Sequence, residues 1–378
     1  MGVCFNKPRL EDHQEITSRR KNQKLSVIPV KSEDQKEAKA FVFQETYNTP
    51  KKHSVETLKC LVTLEGKPNP KHQRGFEDKL TRVEGQNLDF ESLETLGVGI
   101  ACKKGLKPDP QNQDDFSVVL DNCFQFLGVY DGHGSFGHEV SNYIHSLIPR
   151  YFISNEKSKT EPLELFNEVF PRVDNELKEL CNQEDSEFDC VFSGSTATTA
   201  FIYQKKLYIG HVGDSRAVLG VKEGSELKAL RVSEDHKPTL QGEKTRIEKA
   251  GGEVKRLPED IPYRVFMKGK DYPGLSTSRA FGDLSAHSVG VTSEPQTLEI
   301  NLDESHKYLV LCSDGVTEFI EDEEMITIVR KYGKRVKSAA DKLASVAWRR
   351  WIQNEDDVVD DITAIVVYLP QLLVNIQT

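Results

Sequence analysis

The stretch FQFLGVYDGHG, residues 124–134, runs from a strand-like apolar segment directly into an aspartate and a histidine that stands between two glycines. Aromatic and β-branched residues over this length favour a buried strand, and glycine with aspartate signals the turn that ends it. The pattern recurs: LYIGHVG runs into Asp214, YLVLCS into Asp314, and Asp360-Asp361 stand immediately before ITAIVVYL. Aspartates at the ends of apolar strands are therefore the feature that organises this sequence.

Strand-like and helix-like segments alternate along much of the chain. Further strand-like runs occupy 197–221, 306–315 and 360–369. Apolar residues at helical spacing predict helices over 136–152, 162–180, 245–250 and 322–351. YQKKLY at 203–208 predicts a tight hairpin, and consecutive hairpins favour antiparallel over parallel sheets. We therefore predict an α+β fold with a central antiparallel β-sandwich flanked by α-helices.

Charge divides the 378-residue chain into two parts. Residues 1–88 hold 17 basic and 12 acidic residues, a balance of +5, and their short apolar runs are too isolated to bury a core. The remainder holds 33 basic and 48 acidic residues, a balance of -15. We predict a mostly flexible N-terminal extension over 1–88, a folded domain over 89–371 and a C-terminal tail over 372–378.

The composition also excludes several classes of protein. No apolar run reaches the roughly 18 residues of a membrane span, and the N-terminus lacks the apolar core of a secretory signal. The acidic domain predicts no binding to nucleic acid, because phosphate backbones attract clustered lysine and arginine. Seven cysteines without a CxxC pair argue against a disulfide framework or a zinc–thiolate site and favour a reducing, cytoplasmic compartment.

Convergence of the strand-end aspartates would create a metal site. A single Asp-Gly pair is usually only a turn, but carboxylates gathered at one edge of a sandwich cannot all stay ionised without a cation. Oxygen ligands without cysteine select Mg²⁺ or Mn²⁺ over zinc or copper. Two such ions lower the pKa of a shared water and neutralise a phosphoryl group under attack. His133 would then protonate the leaving oxygen as general acid, unless it is simply an exposed turn residue.

At these residues the sequence resembles the metal-dependent protein serine/threonine phosphatases of type 2C, the PPM family. The motifs that carry the resemblance occur in the family's order and cover roughly 92–370: VYDGHGS at 129–135, SGSTAT at 193–198, GDSRAV at 213–218, EDHKP at 234–238, LSTSRAFGD at 275–283, CSDG at 312–315 and DDIT at 360–363. The resemblance implies a four-layer α/β/β/α arrangement and a phosphatase catalytic domain over 89–371.

The resemblance also implies a set of metal ligands. In the family the DGHG aspartate bridges two ions and the next glycine offers its carbonyl, which implies these roles for Asp131 and Gly132. Asp314 and Asp360 would complete the ligands of the first ion. Asp214 would hold a third, weaker ion.

Three assignments keep an alternative. The GDSR aspartate, Asp214, could instead belong to a turn stabilised by Arg216. Thr196 and Asp361 lie near the site in the family, although both could be purely structural here.

The sequence departs from the family's pattern at two positions. The usual upstream pair is Glu-Asp, whereas here it is Gln113-Asp114, so a neutral amide replaces a carboxylate that contacts the second metal, and Asp114 keeps its place. The family's phosphate-binding arginine corresponds to Asp109. Three lysines could replace it, with the first as our prediction: Lys107, Lys103 and Lys104. Each could also be an ordinary surface lysine.

The expected activity is hydrolysis of phosphoserine and phosphothreonine in proteins by direct attack of water, without a phosphoenzyme. Cys312 is accordingly predicted to be a buried strand residue rather than a nucleophile. One rival is an inactive pseudophosphatase that acts as a scaffold, which Gln113 and the missing arginine would favour. A second rival is a phosphatase for small phosphorylated metabolites.

Four other residues are predicted to be structural. Trp348 and Trp351 are packing anchors on a helix, and Arg279 and Asp283 order the segment 251–278.

The N-terminus carries a possible lipid-attachment signal. Gly2 after Met1, followed by Cys4, resembles an N-myristoylation and palmitoylation signal, although Asn6 stands where the pattern has serine or threonine. Nearby basic residues would add contact with an anionic membrane. This predicts a cytoplasmic protein that attaches to membranes through Gly2 and Cys4, the alternative being an ordinary N-terminus.

Overall fold

Strands and helices alternate over the residues that the computed structural model describes, which are 59–63, 81–84, 90–109, 111–258, 260–355 and 358–374. The strands in this part of the chain are β1 (Lys59–Thr63), β2 (Thr81–Glu84), β3 (Val98–Lys103), β4 (Asp114–Leu120), β5 (Phe124–His133), β6 (Gly194–Ser195), β7 (Ala197–Tyr203), β8 (Lys206–Val212), β9 (Arg216–Glu223), β10 (Glu226–Arg231), β11 (Gly252–Lys255), β12 (Arg264–Met267), β13 (Pro273–Leu275), β14 (Phe281–Gly282), β15 (Gln296–Asn301), β16 (His306–Cys312) and β17 (Ile362–Tyr368). The helices are α1 (Phe90–Thr95), α2 (Gly137–Ile153), α3 (Lys157–Thr160), α4 (Pro162–Cys181), α5 (Gln241–Lys249), α6 (Leu284–His287), α7 (Asp314–Thr317), α8 (Asp322–Arg330), α9 (Val336–Glu355) and α10 (Leu369–Val374).

Two antiparallel sheets form the centre of the fold. The first has the order β15-β8-β7-β5-β4-β1-β2, with the short strands β6 and β14 attached beside β5. The second has the order β10-β9-β16-β17-β3. The predicted hairpin joins β7 to β8, and its two turn residues, Gln204 and Lys205, have φ of 48° and 58°. Positive φ at both positions is what a type I′ turn requires.

The burial pattern of β5 shows why the two sheets stack. Phe126 and Tyr130 belong to one hydrophobic cluster, whereas Leu127 and Val129 share another cluster with Leu309 of β16. Because successive side chains of a strand point to opposite faces, β5 is covered on both sides. One face therefore meets the second sheet, and the other face meets helices.

Helices cover the outer face of each sheet. Ile144 of α2 and Phe166 of α4 lie in the cluster outside the first sheet. Ile326 of α8 and Leu343 of α9 lie in the cluster outside the second. The layer order helix, sheet, sheet, helix confirms the predicted α+β fold. No helix among the described residues is long and apolar enough to cross a membrane.

The predicted helix over 322–351 is wrong as a single element. It is two helices, α8 and α9, separated at 331–335, where Gly333 has a φ of 60°. A residue with positive φ ends a helix, and glycine adopts this conformation without steric cost. The apolar spacing continued through the break because both helices cover the same sheet.

Parts of the predicted extension and tail are built into the fold. The backbone of β1 pairs with β4, and β2 pairs with β1, so 59–63 and 81–84 extend the first sheet. The rest of 1–88 lies outside the described residues. At the other end, α10 crosses the predicted boundary at residue 371, and Leu372 is buried in the core between the sheets.

A third, small sheet stands beside the sandwich. Strands β11, β12 and β13 form an antiparallel sheet, and we call residues 252–275 the flap. Val265 of the flap packs with Ile247 of α5 and Ala280 in a separate small cluster. The flap thus has its own apolar attachment to the rest of the fold.

Two stacked histidines lie buried at the end of β8. The rings of His211 and His236 are 4.6 Å apart at 16°. The Gly213 N–H donates to His236 Nδ1 at 3.0 Å, and His211 Nε2 contacts the Glu234 carbonyl at 3.0 Å. Burial lowers the pKa of His211 to about 4, and burial together with the neighbouring His211 lowers the pKa of His236 to about 2. Both imidazoles are therefore neutral in the folded protein at physiological pH.

We expect the free energy of unfolding to fall as the pH drops from 7.5 to 5.5, because the unfolded chain takes up a proton on each imidazole that the native protein does not. Each histidine then costs about 1.4 kcal/mol at pH 5.5. His236→Asn keeps an acceptor for the Gly213 N–H but cannot titrate, so it should remove about one such contribution. Urea denaturation of both proteins at the two pH values measures the difference, and an unchanged pH dependence in the variant would contradict the neutral buried pair.

Candidate active site

A cavity of about 420 Å³ opens where strands of both sheets end. Five acidic and three basic side chains line it: Asp131, Asp214, Asp283, Asp314 and Asp360, and Lys107, His133 and Arg264. Phe192, Thr196 and residues 273–277, which end the flap and follow it, complete much of the lining. The structure thus brings the strand-end aspartates 131, 214, 314 and 360 into one cavity.

Antiparallel pairing within the first sheet explains half of this convergence. The start of β4 lies beside the end of β5, so Asp114 is directly opposite Asp131. The Asp131 N–H donates to Thr196 Oγ1 at 3.0 Å, and the Asp131 carbonyl accepts from the Thr196 N–H at 2.9 Å. At the end of β8, Gly213 turns the chain with a φ of 101° and presents Asp214. Thr196 therefore holds the backbone of Asp131 in place.

The second sheet supplies the other two carboxylates. β16 ends beside the start of β17, which places Asp314, the first residue of α7, near Asp360. A Cβ on Gly315 would lie 1.9 Å from the Asp361 carbonyl oxygen, so only glycine allows this approach. The Trp351 indole N–H donates to the Gly315 carbonyl at 2.8 Å. A helix of the outer layer thereby anchors the chain next to Asp314.

Asp361 has a structural role. Its Oδ1 accepts from the Gly105 N–H at 2.7 Å, and its Oδ2 accepts from the Gln113 N–H at 2.8 Å. Gly105 follows β3 of the second sheet and Gln113 precedes β4 of the first. The carboxylate therefore ties together two loop ends, one from each sheet, and it does not line the cavity.

Lys107 lies among the carboxylates. Its ammonium forms an ion pair with Asp360. Burial alone would lower the pKa of Lys107, but the charges of Asp360, Asp131 and Asp314 outweigh burial and raise it. Lys107 is thus a permanent cation within the cavity, whereas neither Lys103 nor Lys104 lines it.

The carboxylates themselves are destabilised in their charged forms. Burial and the neighbouring Asp314 raise the pKa of Asp131 well above its usual range. Burial and the same neighbour raise the pKa of Asp360 to about 7, although Lys107 opposes the shift. Burial and the charge of Asp214 raise the pKa of Asp314. The physical cause is common to all three: negative charges lie close together where little water reaches them.

Gln113 and Asp114 lie behind the cavity wall. Gln113 Nε2 donates to the Gly134 carbonyl at 2.7 Å, a bond that a glutamate carboxylate could not make. Asp114 is fully buried, and its Oδ2 accepts from Ser313 Oγ at 2.7 Å. Burial and the charge of Asp361 raise the pKa of Asp114 to about 8. The neutral amide at position 113 therefore has a structural use in this chain.

His133 is held by a residue that the sequence analysis placed elsewhere. His133 Nε2 lies 2.6 Å from Asp283 Oδ2. Burial alone would lower the pKa of His133, but the charge and hydrogen bond of Asp283 raise it. Arg279, which was predicted to act with Asp283, instead pairs with Glu243 at 2.8 Å. The sequence did contain a signal for Asp283 as a site residue: AFGD at 280–283 repeats the pattern of an apolar strand that ends in Gly-Asp.

Two basic residues at or beside the site, Lys237 and Arg264, were missed by the sequence analysis. Lys237 Nζ lies 2.5 Å from Asp214 Oδ2, while Arg216 contacts Asp235 and Asp322 instead. The cation beside Asp214 is therefore a lysine from the EDHKP motif rather than Arg216.

Arg264 reaches the cavity from the flap. Its Nε donates to Asp260 Oδ2 at 2.6 Å and its Nη1 to the Gly274 carbonyl at 3.0 Å. No feature of the sequence around Arg264 indicated this position, because the flap has no motif with a chemical role.

Three side chains predicted to be structural, those of Cys312, Trp348 and Trp351, pack in the interior or against it. Cys312 is fully buried, and burial raises the pKa of its thiol to about 12. Trp351 packs edge-to-face against Phe319, with ring centroids 4.9 Å apart, and Trp348 packs on the outer cluster of the second sheet.

The donor set suits a hard divalent cation. Among the described residues, no three His, Cys, Asp or Glu side chains form a ready-made metal site. The carboxyl groups of Asp131, Asp314 and Asp360 nevertheless line one cavity, and Lys107 neutralises part of their charge. Repelling carboxylates of this kind are stabilised by added positive charge, and oxygen ligands suit Mg²⁺ or Mn²⁺. The cavity thus fits such an ion in charge and in ligand type.

Comparison with known proteins identifies the family. The protein phosphatase 2C family model matches residues 109–355. "Probable protein phosphatase 2C 35" of Arabidopsis thaliana is 30% identical over 288 residues, which cover 70% of this chain and 80% of that protein. "Probable protein phosphatase 2C 64" of Oryza sativa subsp. japonica is 34% identical over 303 residues, which cover 78% and 70%.

Solved structures share the fold. The serine-threonine phosphatase 2C from Toxoplasma gondii superimposes with a TM-score of 0.63 at 23% identity, covering 72% of this chain and 94% of that one. A C. elegans sex determining protein superimposes with a TM-score of 0.58 at 20% identity, covering 74% and 67%. Fold, motifs and family model agree: the chain belongs to the protein phosphatase 2C family and is a protein serine/threonine phosphatase.

Proposed function

We propose that this phosphatase depends on Mg²⁺ or Mn²⁺ and that two ions bind at the strand-end carboxylates. The observation that carries the proposal is the meeting of Asp131, from the first sheet, with Asp314 and Asp360, from the second, in one cavity. The Gly132 carbonyl would be a further ligand. Asp114, buried behind the wall, would act on the ions through water.

Asp214 supports a weaker third site. It lines the same cavity and its charge acts on Asp314, but Lys237 already neutralises it at 2.5 Å. A cation there has to compete with a lysine, which accounts for lower affinity than at the other two positions.

The bound ions would make water nucleophilic near neutral pH and offset the charge of the phosphoryl group. This chain's own residues supply the rest. His133 lines the cavity beside Asp131 and would donate the proton that the departing serine or threonine oxygen needs. Cys312, buried with a raised thiol pKa, is no nucleophile, which supports direct attack of water without a phosphoenzyme.

The substrates are phosphorylated proteins, as the family implies. The pseudophosphatase alternative gains no support, because the aspartates and His133 are present in one cavity and Gln113 is accommodated by its bond to Gly134.

Asp131→Ala and Asp314→Ala should each abolish Mn²⁺-dependent release of phosphate from a phosphoserine peptide and weaken Mn²⁺ binding in calorimetry. Each removes a carboxylate that two sheets converge to provide. Asp341→Ala is the control: it removes an aspartate of the outer helix α9 that forms an ion pair with Lys337 away from the cavity, and it should leave both measurements unchanged. Full activity in both site variants would contradict the proposed metal site.

We further propose that Lys107 binds the substrate phosphate, as its position in the cavity supports. In the absence of substrate its ammonium is attracted to the same carboxylates that would hold a metal ion, with Asp360 as its contact. A metal ion and Lys107 therefore compete for the same carboxylates. Lys107 would favour binding of the substrate phosphate and oppose binding of the metal ion.

Lys107→Gln should accordingly have two opposite effects. The Kd for Mn²⁺ should fall about tenfold, since no ammonium competes, while the KM for a phosphopeptide should rise about tenfold. Calorimetry and steady-state kinetics measure these separately. Lys103→Gln, in the same region but outside the cavity, should change neither. Weaker Mn²⁺ binding by Lys107→Gln would show that Lys107 does not compete with the metal.

We propose, from the sequence of the first residues alone, that the protein is N-myristoylated at Gly2 and palmitoylated at Cys4 and so attaches to cytoplasmic membranes. These residues lie outside the described ones. Intact mass of the protein isolated from eukaryotic cells should show both acyl groups. Cys4→Ser should lose one, and Gly2→Ala should lose both and leave the membrane fraction. An unmodified native mass would contradict the proposal.

A further inference from the structure

The His133–Asp283 pair joins two parts of the chain that lie 150 residues apart. His133 ends β5, whereas Asp283 follows β14 at the start of α6. The distance of 2.6 Å from Nε2 to Oδ2 is that of a strong, charge-assisted hydrogen bond. Only 4% of the Asp283 side chain is exposed, compared with 30% for His133. Both side chains line the cavity, but the carboxylate is the buried, fixed member of the pair and the imidazole is the more exposed member.

The backbone of Asp283 adopts an uncommon conformation. Its φ and ψ are 44° and 46°, in the left-handed region that non-glycine residues rarely occupy. Its N–H donates to the Ser193 carbonyl at 2.9 Å. The side chain makes no capping hydrogen bond to α6, so helix capping does not explain the conformation. An unfavourable backbone held in place next to a site residue indicates a functional constraint.

The surroundings are shaped for the carboxylate. A Cβ on Gly194 would lie 2.1 Å from Asp283 Oδ2, so a side chain at 194 would displace the carboxylate. Phe281 and Gly282 pair with Ser195 and Gly194, which places β14 directly beside β6. The Gly282 N–H in turn donates to Asp174 Oδ1 of α4 at 2.8 Å. The first sheet and its outer helix therefore both fix the position of Asp283.

We infer that Asp283 is a positioning residue for the reaction: it holds His133 by Nε2 so that Nδ1 is the nitrogen that donates a proton to the leaving group. The inference rests on the proposed role of His133 as general acid. An imidazole has two nitrogens. With Nε2–H donated to Asp283, the ring orientation is fixed, and the protonated ring has only Nδ1–H left to give to the leaving group.

The proton balance of the step is complete. The water oxygen forms a bond to phosphorus, and the bond from phosphorus to the substrate's serine oxygen breaks. The Nδ1 proton moves to that oxygen, so the serine leaves as a neutral alcohol. His133 keeps its Nε2–H on Asp283, and the proton lost by the attacking water returns to Nδ1 through solvent.

Two substrates separate this role from a structural one. A phosphoserine peptide has a poor leaving group that needs a proton, whereas p-nitrophenyl phosphate releases a stable phenolate that does not. Asp283→Asn should lower kcat/KM for the peptide by about 100-fold, the lower end of the range of general acid catalysis, and that for p-nitrophenyl phosphate by less than about threefold. Equal losses on both substrates would overturn the inference.

Asp283→Gly is a second variant that tests the same role if Asp283→Asn fails to fold. Glycine favours the left-handed backbone and removes the carboxylate, so this variant should be at least as stable as the native protein in thermal unfolding. It should show the same selective loss on the peptide. Asp174→Asn is the matched control: it perturbs the same loop without touching His133, and should affect both substrates by one factor. Full peptide activity in Asp283→Gly would overturn the inference.

His133→Gln separates the general-acid role of His133 from the positioning role of Asp283. If it shows no selective loss on the peptide, the proposed general acid is wrong. If it does, and Asp283→Asn does not, only the positioning role of Asp283 is wrong. The double variant His133→Gln/Asp283→Asn should be no slower on the peptide than His133→Gln alone, since Asp283 acts through His133.

Discussion

Repulsion among buried carboxylates is the constraint on which the active site depends. Asp131, Asp314 and Asp360 come from two sheets and meet in one largely buried cavity, and their raised pKa values reflect the cost of charging them there. Such a cluster persists only with a positive charge beside it. Lys107 provides one within the chain. Divalent ions would provide the rest. The repulsion that destabilises the charged carboxylates would therefore also favour metal binding.

Much of the surrounding structure consists of means to hold those carboxylates against their repulsion. Asp361 accepts backbone N–H groups from the loops after β3 and before β4. Thr196 exchanges two hydrogen bonds with Asp131. Trp351, from the outer helix layer, binds the carbonyl of Gly315 next to Asp314. These contacts use polar groups that the sheets leave unpaired at their ends, so the site and the edge of the sandwich are stabilised together.

The sequence predicted the elements that depend on local pattern. The hairpin at Gln204 and Lys205 and the α+β sandwich follow from residue spacing, whereas the four layers were implied by the resemblance to the family. Prediction from the sequence failed where residues that are close along the chain have different contacts in the folded protein. The break at Gly333 was hidden by continuous apolar spacing, and Asp283 was assigned to the flap because it lies near the flap in sequence.

By itself, the sequence determined that aspartates stand at the ends of apolar strands, in an order typical of protein phosphatase 2C, and that oxygen ligands would favour a hard metal ion. Only the tertiary structure decided which of them face the cavity. Asp114 and Asp361 turn to backbone and hydroxyl partners, while Lys107 and Asp283 enter the site from distant segments. The reason is physical: a strand's pattern fixes which face a side chain occupies, but strand register and turn geometry fix what it meets there.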